Sequence, residues 1–155
     1  MTTRPVRITV VGAGRCDQAT ASIAERVGSE IARRGGVLIC GGLGGVMEAA
    51  ARGAKAEGGL TIGILPGERA NDANPHIEIP IATGMGHARN VVNVRAADAV
   101  VGVGGSYGTI SEIALALKMG IPVVAVSPPL SSDDIVEADS PEAAVERAFE
   151  LAGAA

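Results

Sequence analysis

The stretch DAVVGVGGSYGTISEIALALKMG, residues 98–120, runs from an apolar segment through a glycine-rich loop into a helical pattern. The segment ending at Val103 is short, rich in valine and bounded by glycine, which predicts a strand buried on both faces. GTISEIALALKMG carries the helical pattern and stops on Gly120, as helices often do. Strand, glycine loop and helix in that order predict an α/β unit. Ligands in such units bind beyond the carboxyl end of the strand, where the next helix points unpaired N–H groups outward.

The rest of the chain repeats this alternation. Further Val- and Ile-rich runs occupy residues 6–11, 36–40, 60–65 and 121–126, with a weaker one, HIEIPI, at 76–81. Helical patterns lie between them. Residues 17–36 open with Asp17 as N-cap and carry Ile23, Val27 and Ile31 at helical spacing. Residues 45–59 and 85–98 follow, and 140–153 begin with Ser140 as N-cap and Pro141 at the first helical position. The expected fold is a single Rossmann-like domain over residues 1–155, with a doubly wound, mainly parallel sheet and helices on both faces.

Composition agrees. Apolar residues make up 47% of the 155 positions but aromatics only 1%, so the core must be built from Val, Ile, Leu, Ala and Met. The 22 glycines gather at the ends of apolar runs, which marks turns and loops. A formal net charge of −4 with dispersed positive residues argues against a nucleic acid partner. No segment approaches the roughly 20 apolar residues that would span a bilayer, so no membrane partner is expected. Cys16 and Cys40 fit neither a metal-ligand spacing nor a secreted disulfide framework, and the N-terminus lacks the apolar core of a signal peptide. The expectation is a cytoplasmic protein without a metal site.

Three glycine loops follow strand ends. GAGRCD, 12–17, offers Gly12 for a tight turn or a ligand contact and Arg15 for an anion, but Asp17 stands where a dinucleotide fingerprint requires glycine. GGLGGVMEAA, 41–50, has more glycine than a turn needs; Gly42, Gly44, Gly45 and Met47 are therefore candidate ligand contacts. GGSYGTISE, 104–112, frees the backbone to curl at Gly104, Gly105 and Gly108, offers hydroxyls at Ser106 and Thr109, and has Tyr107 between them. It suits a phosphate at a helix N-terminus and lacks the GK[ST] ending of a Walker loop. Two readings of Glu112 stay open. It completes a capping box with Thr109, or it faces whatever the loop holds. Arg89 is a candidate for bidentate contact with an anion, with His87 beside it and Val91, Val92 and Val94 marking one side of the helix as buried. His76 and Arg95 read as structural.

GGLGGVMEAA, together with GMGHARNVVNVRAADAVVGVGGSYGTISEIALALKMGIPV, resembles the LOG (Lonely Guy), or SLOG, superfamily of Rossmann-like proteins. Within it the chain is most similar to the short branch that includes molybdenum cofactor carrier proteins. The resemblance covers roughly residues 6–126. In LOG enzymes a PGGxGTxxE motif holds the 5′-phosphate of a nucleotide whose N-glycosidic bond is hydrolysed. Here Gly104 replaces the proline and Ser106 the second glycine. The resemblance implies that Arg89 and Glu112 correspond to the catalytic pair of that family, with Asn90 in place of its lysine as a ligand contact. The lysine decarboxylase label attached to such proteins does not suit a chain whose only lysines, Lys55 and Lys118, lie in helical stretches.

Two functions follow as expectations. One is a binding protein for a phosphate-bearing small molecule, either molybdenum cofactor or a nucleotide, which needs no cofactor of its own. The other is a nucleoside 5′-monophosphate phosphoribohydrolase with Arg89 and Glu112 as catalytic residues. Whether the chain is an enzyme at all stays open. The resemblance also implies a homo-oligomer, a dimer or tetramer, for which the valine-rich helix 90–97 offers an apolar face.

Overall fold

β-branched runs bounded by glycine form the centre of the sheet, and every residue of three of them is buried: Val37–Cys40, Ala99–Val103 and Val123–Val126. The structure is a computed structural model and describes residues 4–153. Its strands are β1 (Arg7–Gly12), β2 (Val37–Cys40), β3 (Thr61–Leu65), β4 (Ile79–Ala82), β5 (Ala99–Val103), β6 (Val123–Val126) and β7 (Ile135–Glu137). The helices are α1 (Gln18–Arg33), α2 (Val46–Ala56), α3 (Arg89–Arg95), α4 (Tyr107–Lys118) and α5 (Pro141–Gly153). The strands form one seven-stranded sheet in the order β4-β3-β2-β1-β5-β6-β7, with every pairing parallel. Strand order reverses between β1 and β5, which makes the gap above their carboxyl ends the topological switch point.

Alternation along the strands divides the core in two. Val10, Val101, Val103 and Val124 pack with α1, α2 and α5 on one face. Val11, Val100, Val123 and Ala125 pack on the other with Val94 of α3 and Ile113 and Ala116 of α4. Asp98, just before β5, ties the strand starts together: it accepts from the Arg7 N–H at 2.9 Å and from Arg4 at 2.8 Å. The Arg4 guanidinium, with that N–H, holds the Asp98 carboxyl well below the usual carboxylate range.

Two N-caps are as expected. Asp17 accepts from the Thr20 N–H at 2.8 Å, and Ser140 from the Ala143 N–H at 3.1 Å. Elsewhere the elements differ from the sequence reading. HIEIPI is a strand only from Ile79, and the helical pattern 85–98 resolves into a 3₁₀ turn at Gly86–Ala88 followed by the short α3. Val91 and Val92 are 41% and 37% exposed, and Asn93 and Val94 are the buried side of α3. β7 is three residues long and flanked by acidic residues, too short for a hydrophobic period to register.

α1 and α2 approach through glycine. A Cβ on Gly28 would overlap the Ala50 carbonyl oxygen, and one on Gly53 would overlap that of Glu25. Either Gly→Ala change must push two helices apart. Overpacking of this kind costs roughly 1–3 kcal/mol, which in a domain of this size lowers Tm by up to about 10 °C. Thermal denaturation of Gly28→Ala and Gly53→Ala should give that drop. Gly14→Ala, where a Cβ meets nothing within 4 Å, should melt within a degree or two of wild type.

Candidate functional site

The carboxyl ends of β1, β2 and β5 open into a cavity of about 180 Å³ at the switch point. Its wall includes Gly12, Ala13 and Gly14 after β1, Gly41 after β2, and Met47 of α2. The remaining side is formed by His87, Arg89 and Asn90 of the α3 region and by Ser106, Gly108, Thr109 and Glu112 around the start of α4.

Two consecutive glycines shape the α4 entrance. Gly104 and Gly105 have φ of 54° and 123°, in the region other residues rarely adopt, and a Cβ on Gly105 would strike the Thr109 side chain. The chain therefore turns into its helix earlier than the sequence reading had it. Ser106 is the N-cap, α4 starts at Tyr107, and the Thr109 hydroxyl accepts from the Ser106 N–H at 3.3 Å. Of the two readings of Glu112, the capping box with Thr109 is not the one that forms; the box is made by Ser106 and Thr109. Thr109 reaches back from the first turn, which frees Glu112, one turn further on, to face inward. The first N–H groups of α4 have no intrahelical acceptor and, with the helix dipole, favour an anion beside Ser106 and Gly108.

Arg89, at the start of α3, lies across Gly41. A Cβ there would overlap the guanidinium and come within 2.7 Å of Met47 Sδ, so a larger residue would displace this arginine from its place. Burial lowers the Arg89 pKa, while the negative charge of Glu112 partly offsets that effect, and the arginine Nε is buried without a partner among the described residues. Glu112 is 8% exposed. Burial raises its pKa; a hydrogen bond from Asn93 Nδ2 at 2.9 Å and the charge of Arg89 pull the other way. No N···O contact within 4.0 Å joins Arg89 to Glu112 among the described residues, so each keeps polar atoms for something else. Cys40 sits beneath them with its thiol pushed up to about 11 by burial, hence protonated and inert as a nucleophile at neutral pH.

The candidates from sequence divide. Gly12, Met47, Arg89, Asn90, Ser106, Gly108, Thr109 and Glu112 converge on the cavity. Gly42, Gly44 and Gly45 lie outside its lining. Gly42, at φ 78°, packs on Leu65, and Gly45, at φ 64°, presses on the backbone of Ala13 and Gly14. Gly104 and Gly105 shape the rim, and Tyr107 is 89% exposed. Gly41 and Asn93 were not singled out: the first was one of four glycines in five positions, and the second was one polar residue in a valine-rich helix. Lys55 pairs with Glu78 on the surface and Lys118 is exposed at the end of α4, both away from the cavity. The described residues contain no cluster of three or more His, Cys, Asp or Glu able to hold a metal, and no helix long and apolar enough to cross a membrane.

The start of α4, Arg89 and the buried Glu112 carboxyl thus share one side of the cavity, facing the loops after β1 and β2. The same fold recurs in known proteins. A molybdenum cofactor binding protein from Rippkaea orientalis superimposes with a TM-score of 0.91 at 37% identity, covering 97% of this chain and 99% of that one. The molybdenum cofactor carrier protein of Chlamydomonas reinhardtii gives a TM-score of 0.87 at 33% identity, over 97% and 99% of the two chains. An uncharacterized protein of Archaeoglobus fulgidus is 54% identical over 140 residues, 90% of this chain and 92% of that protein. The model of the SLOG cluster4 family matches residues 5–152, and this chain, with its seven parallel strands and its cavity at their carboxyl ends, belongs to that family.

Proposed function

We propose that the protein binds a phosphate-bearing small molecule, as a carrier of molybdenum cofactor or of a nucleotide, and works in the cytoplasm. The observation that carries this reading is the pairing of the α4 N-terminus with Arg89 on one cavity. The helix start supplies N–H donors and Ser106 and Thr109 supply hydroxyls, while the guanidinium supplies charge already withdrawn from water. The residues fit such a cargo: Gly41 leaves the space that Arg89 occupies, and the buried Arg89 Nε lacks an acceptor. Likeness to two solved proteins whose described ligand is molybdenum cofactor supports the cofactor over other phosphorylated molecules.

A second reading has one observation in its favour, that Arg89 and Glu112 face the same cavity. In a phosphoribohydrolase, Glu112 would stabilise developing positive charge on the ribose or activate water, and Arg89 would position the phosphate. Purified protein incubated with molybdenum cofactor and with a panel of nucleoside 5′-monophosphates, scored for thermal protection and for free base, separates the two. The carrier reading expects protection without base release, and protection kept in Glu112→Gln. Base release lost by orders of magnitude in Glu112→Gln would establish the hydrolase instead, and no protection by any phosphorylated ligand would sink both.

Glu112 also predicts a stability effect. A carboxyl whose folded pKa lies above its unfolded value opposes folding once ionised, so the penalty is present above the folded pKa and fades as pH falls through the unfolded value near 4.5. Glu112→Gln should therefore melt higher than wild type at pH 8, with the gap closing by about pH 4.

We further propose a homo-oligomer, a dimer or tetramer, formed through the exposed side of α3. Val91, Val92 and Met85 are exposed there, and Ile79 and Ile81 are exposed on the edge strand β4. Light scattering after size exclusion should give a multiple of the 15.4 kDa chain mass, reduced to the monomer by Val91→Glu with Val92→Glu. A monomeric wild type would remove this proposal.

A further inference from the structure

Asn93 is 1% exposed and sits between the sheet and Glu112. Its backbone carbonyl accepts from the Thr9 hydroxyl of β1 at 2.7 Å, which pins this point of α3 to the strand beneath. Its side-chain Nδ2 donates to Glu112 Oε2 at 2.9 Å across 19 residues of sequence, while its Oδ1 is buried with no partner among the described residues. A buried amide with one half unsatisfied is a poor choice for stability, since an orphaned acceptor costs roughly 1–3 kcal/mol. An apolar side chain would fill the space without that penalty. What the amide does provide is a fixed donor to the one carboxylate on the cavity wall.

We propose that Asn93 is a positioning residue for Glu112: by holding Oε2 against α3 it turns the other carboxylate oxygen toward the cavity, to accept from an N–H or O–H donor on the ligand. This deepens the binding function proposed above and rests on it for the ligand contact. Thr9, Asn93 and Glu112 then form a short series of hydrogen bonds from β1 through α3 to α4, ending at the cavity. The other charged or titratable groups facing Glu112 are Arg89 of α3, the Cys40 thiol at the end of β2 and His87 on the cavity wall. Arg89 acts through charge alone. Asn93 acts through a hydrogen bond that is stronger to the carboxylate than to the protonated carboxyl, and so favours ionisation against burial.

The test is a carbon-13 NMR titration of the Glu112 side-chain carboxyl in the full chain, wild type against Asn93→Leu. Leucine keeps the volume and removes the donor. The midpoint should rise by about one pH unit, a tenfold gain in proton affinity. In wild type, the Asn93 side-chain N–H signals should follow the same midpoint, a measurement that holds even if Asn93→Leu fails to fold. An unmoved midpoint, or Asn93 signals indifferent to it, would overturn the proposal. Inorganic phosphate serves as the binding probe. Its thermal protection, through the α4 loop, should be equal in wild type and Asn93→Leu, and loss in the variant alone would make Asn93 a general structural residue and overturn its positioning role. Absence of phosphate protection in wild type would count against the binding function above while the titration still decides the role of Asn93.

Discussion

The site depends on how closely α1 and α2 can lie. With hydrogen at Gly28 and Gly53, the carbonyl oxygens of Ala50 and Glu25 come against the facing helix backbone, and no side chain holds them apart. That closeness fixes the entrance of α2 over the end of β1. Val46 packs on Gly12, where a Cβ would stand 2.6 Å away, and the Val46 N–H donates to the Ala13 carbonyl at 3.0 Å. The loops after β1 and β2 are thus braced against each other, and Gly45 presses into the backbone of Ala13 and Gly14. A cavity built from two such loops has a rigid floor and wall before any ligand arrives.

Upon that frame the chain places charge in an environment that opposes it. Glu112 is buried and Arg89 half-buried, their pKa values are moved by burial in the directions that weaken ionisation, and they do not neutralise each other by contact among the described residues. The protein has already met the desolvation penalty that a ligand would otherwise impose on binding. The orphaned Nε of Arg89 is a local sign of that cost.

The fold was legible because its signals are local. Valine-rich runs such as Ala99–Val103 and the caps Asp17 and Ser140 carry their instruction within a few residues. The site was legible in outline for the same reason, since glycine loops stand out wherever strands end. What escaped depends on distance. No spacing in the sequence tells that Gly41 must be bare because Arg89, 48 positions later, lies over it. Nor does any local rule separate the glycines that line the cavity from Gly42 and Gly45, which serve loop packing. The cap of α4 stayed open because Thr109 and Glu112 match the sequence pattern of a capping box, while Ser106 and Thr109 form the real one. The choice falls to the φ values of Gly104 and Gly105, which bring the helix in a turn early.

The balance between holding and cutting comes down to the number and freedom of acids. Hydrolysis of glycosidic bonds commonly divides its work between two carboxyl groups, one to protonate the leaving group and one to attack or to activate water. Here Glu112 is the one carboxyl on the cavity wall among the described residues, and one of its oxygens is already engaged by Asn93. His87 is exposed on a 3₁₀ turn, with no side-chain hydrogen-bond partner among the described residues. A fixed acid with one free oxygen is well suited to recognise a donor and poorly suited to exchange protons in two directions. The hydrogen bond from Asn93 makes Glu112 an acceptor of fixed direction, which is what the binding function proposed above asks of it.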